Sequence, residues 1–108
     1  MRTEELLSIS PVKIPAEILA QLNELGDFTL VKLPWCCPAG EHSNHPTCAP
    51  QFDDNGLDEW FPTRVRITGG CSNSGWWQII AVPFPTPLLP PAARELDPPY
   101  IANPETWK

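Results

Sequence analysis

The chain has 108 residues, 42% of them hydrophobic, with 13 acidic against 7 basic side chains for a formal net charge of −6. Such a length makes one domain, and such a composition excludes a disordered chain. The charge excludes a direct binder of nucleic-acid backbones, which needs a basic face.

Residues 3–8 form one helical turn, with Thr3 as its cap and Glu4 and Glu5 in the first turn, where the helix dipole favours acids. This acidic start differs from the basic start of a signal peptide, and no apolar run is long enough to cross a bilayer. The expected location is therefore the cytoplasm, with no membrane partner. In that reducing compartment cysteines serve as thiols or metal ligands sooner than as a disulfide framework.

The clearest helix begins at Pro15, where a missing N–H costs nothing. Ile18, Leu19, Leu22 and Leu25 recur on one face, while Glu17, Gln21 and Glu24 take the other. Gly26 supplies the left-handed residue that ends it. Residues 28–33 are β-branched and aromatic and read as a strand stopped by Pro34.

Three of the four cysteines and both histidines then fall between Cys36 and Cys48, in a loop rich in Pro, Gly, Ser and Asn. From Cys37 the spacing is Cys-x4-His-x2-His-x2-Cys, through His42 and His45 to Cys48. Thiolate and imidazole are the ligands tetrahedral zinc takes, and Cys36 or Cys71 can replace any one of the four. The paired Cys-x2-Cys knuckles of common zinc fingers are missing. A plain loop with exposed histidines and idle thiols therefore competes with a structural zinc site. A disulfide joining Cys36 or Cys37 to Cys48 or Cys71 is a third reading, opposed by the compartment.

Residues 50–62 read as irregular, with a turn at 53–56 and with Leu57, Trp60 and Phe61 anchoring the segment to the core. The carboxylates of Asp53, Asp54, Asp58 and Glu59 lack the alternating spacing of a calcium loop and read as a solvated turn. A second strand covers 63–68, with Val65 and Ile67 inward and Arg64 and Arg66 outward. Residues 69–75 form a hairpin connection longer than two residues. Cys71 within it leads into no helix, so it lacks the dipole that activates a thiol nucleophile. The third strand, 76–82, is apolar on both faces, as a central strand covered on both sides would be. That position makes Trp76 and Trp77 core residues in preference to a base-stacking platform.

Eight of the fifteen prolines lie between Pro83 and Pro104. The segment runs extended, largely as polyproline II, with one isolated turn at 92–96. Its apolar residues, among them Phe84, Leu88, Leu89, Leu96, Tyr100, Ile101 and Trp107, are too many for a linker. Pro87-Leu88-Leu89-Pro90 has the loose P-x-x-P form, which is too common in proline-rich chains to name a ligand.

The expected fold is α+β: one amphipathic helix on an antiparallel sheet of three or four strands, a long Cys/His loop and a proline-rich arm. Residues 1–82 form the compact domain, and 83–108 form an arm packed on the domain or on a partner. The leading function is a small non-catalytic interaction or accessory protein, zinc-stabilised through the loop, that binds a protein partner or its own copy. One alternative is an acidic inhibitor or decoy that blocks a basic nucleic-acid site of another protein. The other is a small metal- or thiol-dependent enzyme.

Overall fold

In a computed structural model of the chain, the structure describes residues 1–34, 54–72, 75–86, 88–90, 93–97, 100–103 and 107. Three helices, α1 (Thr3–Ile9), α2 (Ala16–Leu25) and α3 (Asp54–Trp60), accompany strands β1 (Phe28–Pro34), β2 (Val65–Ser72), β3 (Gly75–Pro83) and β4 (Arg94–Glu95). The strands form one antiparallel sheet in the order β2-β3-β1-β4. The fold is α+β, as the periodicities predict. Among the described residues no helix is long and apolar enough to cross a membrane.

Strand alternation sends two apolar sets to opposite faces of the two central strands. Phe28 and Leu30 of β1, with Trp77, Ile79 and Ala81 of β3, join Leu6 of α1 and Leu22 of α2 in one buried cluster. Val31 and Leu33 of β1, with Ile80 and Val82 of β3, meet Leu57 and Phe61 in a second. Helices α1 and α2 thus cover one face, and α3 covers the other. The double-sided apolarity of β3 follows from this sandwich.

Four local expectations need correction. Thr3 is not the cap of α1: Arg2 holds that position, and Thr3 is a buried residue of the first turn. Residues 54–60 are helical, not irregular, because Leu57, Trp60 and Phe61 stand at helical spacing and bury one side of α3. Gly69 and Gly70 belong to β2, which pairs with β3 as far as Ser72 opposite Gly75, so the connection is shorter than expected. At Gly69 a methyl group would meet the Arg66 guanidinium at 2.9 Å and the Trp77 carbonyl at 3.1 Å. The glycine there serves a close approach within the sheet, not a turn. The expected turn at 92–96 contains β4 instead, since the outer edge of β1 offers unpaired backbone groups, and the Leu96 amide donates to the Leu30 carbonyl at 2.9 Å.

After Pro83 the described parts of the arm touch both sides of the sheet. The Phe84 amide donates to the Asp27 carbonyl at 3.1 Å, and the Thr86 hydroxyl donates to Thr29 Oγ1 at 2.8 Å. Leu89 and Ala93 rest against the α3-side cluster. Beyond β4, Leu96, Ile101 of a 3-10 turn (Tyr100–Ala102) and Trp107 are buried in the opposite cluster with α1 and α2.

Candidate functional site

The α3–β2 connection is held by one arginine. Arg64 Nη1 donates to Asp58 Oδ1 at 2.8 Å and to the Phe61 carbonyl at 3.0 Å. This fixes the end of α3 against the start of β2, and between α3 and the end of β3 opens a groove of about 260 Å³. Phe61 and Val82 are buried in its floor, Trp60 is half-buried, and Pro62, Pro83 and Pro85 complete the lining. Proline has no N–H to offer, so the groove recognises shape and apolar surface sooner than hydrogen-bonding groups.

Phe84 sits between two lining prolines and is 63% exposed, and Leu88 is 86% exposed. On its other side Phe84 borders a smaller hollow of about 170 Å³ with Met1, Phe28, Leu96 and Ile101, rimmed by Glu95 and Asp97. The surface around Phe84 is therefore apolar, concave on two sides and placed on the segment that leaves β3.

The predicted metal ligands Cys36, Cys37, His42, His45 and Cys48 lie outside the described residues. Among the described residues no group of three or more His, Cys, Asp or Glu could hold a metal ion. Cys71 is on β2, in register with Trp76, while Pro34, the last residue of β1, is in register with Trp77. The topology therefore brings Cys71 to the end of the sheet from which the Cys/His segment departs.

Among the described residues the carboxylates do not all share one face. Asp58 and Glu59 are exposed on α3, whereas Asp97 borders the hollow beside Phe28 and Ile101 on the opposite face. Trp77 is buried in the core, as its strand position predicts. The groove itself escaped sequence reasoning. The signal that could have found it is the Leu57, Trp60, Phe61 spacing, which makes α3 a helix with an aromatic end. Comparison with family models, with known proteins and with solved structures returned no match.

Proposed function

We propose that the protein is a small non-catalytic interaction protein of the cytoplasm. It binds a protein partner, or a second copy of itself, through the apolar surface around Phe84. The observation that carries this reading is the 63% exposure of Phe84, between two prolines that line an open groove with Trp60 and Phe61, with the 86% exposed Leu88 four residues further on. Large exposed apolar groups grouped around a concavity mark interaction surfaces, whereas single ones are ordinary. A photo-crosslinking residue at position 84 or 88 should give a discrete protein adduct in cells, and the same residue at exposed Glu17 of α2 should not. Equal labelling from all three positions, or none, would sink the reading.

In the same reading a structural zinc ion held by Cys37, His42, His45 and Cys48 pins the segment after β1. Its support is the ligand spacing and the arrival of Cys71 at the same end of the sheet, available as a substitute ligand. Elemental analysis with a thiol count tests this part alone: stoichiometric zinc and unfolding by a chelator are expected. Four freely titrating thiols without metal would remove the zinc and leave the binding surface standing. The separation of Asp97 from Asp58 and Glu59 weighs against the decoy alternative, which needs its carboxylates on a single face.

A further inference from the structure

The sheet face beneath α1 and α2 carries a pair of cations. Lys32 follows Phe28 and Leu30 on that face by alternation, and its Nζ lies 5.1 Å from the centroid of the Trp77 ring. Arg94 of β4 is the register partner of Lys32. Leu96, two residues beyond, is buried in the cluster of this face, so Arg94 stands on the same side.

Like charges directly opposed on neighbouring strands repel. The Lys32 ammonium is held below its ordinary pKa by burial first and by the Arg94 guanidinium second. Among the described residues neither Lys32 nor Arg94 has an ion-pair partner. Glu95 follows Arg94 in register with Val31 and borders the hollow beside Leu30 and Leu96, but it makes no ion pair with either cation. Trp77 adds an indole N–H that is buried without a hydrogen-bond partner among the described residues. Two neighbouring cations with no counterion among the described residues form an electrostatic arrangement that an anion would complete.

We propose that Lys32 and Arg94 form a binding site for a single oxyanion, a phosphate or carboxylate group carried by a ligand. The guanidinium fork matches either group through two parallel hydrogen bonds, and the ammonium adds a point charge. A polyanion is the wrong occupant, because the net charge of −6 repels it at long range while the paired cations act only at contact. The site stands on the opposite face from the groove at α3, and it does not rest on the function proposed for that groove.

The test is an NMR titration of the isotope-labelled full chain at constant ionic strength, with sodium phosphate, sodium acetate and sodium chloride in separate series. The expected result is a saturable shift of Lys32, Arg94 and the Trp77 indole N–H with phosphate or with acetate, but not with chloride. Which of the two oxyanions binds more tightly assigns the ligand group. Lys32→Met and Arg94→Gln should each weaken binding by about tenfold or more, as loss of a charge-assisted hydrogen bond does. Arg94 is exposed, so its variant keeps the fold even if the Lys32 variant does not. No saturable response, an equal response to chloride, or undiminished binding in a folded Arg94→Gln variant would overturn the proposal.

Discussion

The indole Nε1 of Trp107 donates to the carbonyl oxygen of Ile101 at 2.6 Å, with both residues buried in the cluster beneath α1 and α2. The arm is thereby tied to the core by a large apolar side chain whose polar atom is satisfied, which is how a tryptophan is buried without penalty. Trp107→Ala removes both features and should lower stability by about 3–5 kcal/mol. Trp107→Phe keeps most of the packing and should cost less, the hydrogen bond itself contributing about 1 kcal/mol. Urea denaturation of both variants checks the order; an unperturbed alanine variant would mean that the end of the arm does not pack in solution.

A buried polar group offers the opposite sign. Gln78 is 2% exposed on the α3-side face of β3, and its Nε2 has no hydrogen-bond partner among the described residues. Leaving a buried donor unpaired costs about 1–3 kcal/mol, and methionine has nearly the same shape without the donor. Gln78→Met should therefore raise the denaturation midpoint, by about 1 kcal/mol in stability. A drop instead would show that the amide finds a partner in solution.

Gly26 ends α2 with φ +75° and ψ −113°, a mirror-image extended conformation. No atom stands within 4 Å of the position a β-carbon would take, so space does not limit substitution there. Backbone strain alone sets the cost, about 1–3 kcal/mol. Gly26→Ala should lose that amount with an unchanged dependence on denaturant concentration. A neutral result would mean that the backbone adopts a negative φ at this position.

Lys32 makes stability depend on pH in a direction its chemistry determines. Burial, and then Arg94, holds its pKa below the ordinary 10.5, so the folded chain binds this proton less tightly than the unfolded chain. Below the folded value both states are protonated, and the cost of the buried charge is fully present. Between the folded value and the unfolded value of about 10.4 the unfolded chain holds more protons, so stability rises with pH. Wild type should therefore gain on Lys32→Met as pH climbs from neutral toward about 10. Paired denaturation curves across that range measure it, and a gap that widens against wild type would refute the sign.

Much of this was legible in the sequence. The apolar spacing of Ile18, Leu19, Leu22 and Leu25 made α2 readable, and the alternation of Val65 and Ile67 placed the start of β2. The apolar residues on both sides of β3 announced a covered central strand. The glycines misled, since Gly69 and Gly70 look like a turn when read locally. Only the partner strand and the Arg66 side chain reveal that they lie within β2. Asp, Asn and Gly at 54–56 hid α3 in the same way, because turn residues also start helices. Lys32 gave no signal at all: its neighbours Trp77 and Arg94 are far away in the chain.

The chain by itself determined its local elements and which side of each is apolar, because periods of about 3.6 and 2 residues are properties of neighbouring positions. The tertiary structure alone decided that β1 lies between β3 and β4, with Val31 opposite Glu95. It alone set Phe84 between two hollows and Lys32 beside Arg94. Such placements depend on backbone pairing and packing between distant segments, whose loop-closure cost and mutual fit no local pattern records.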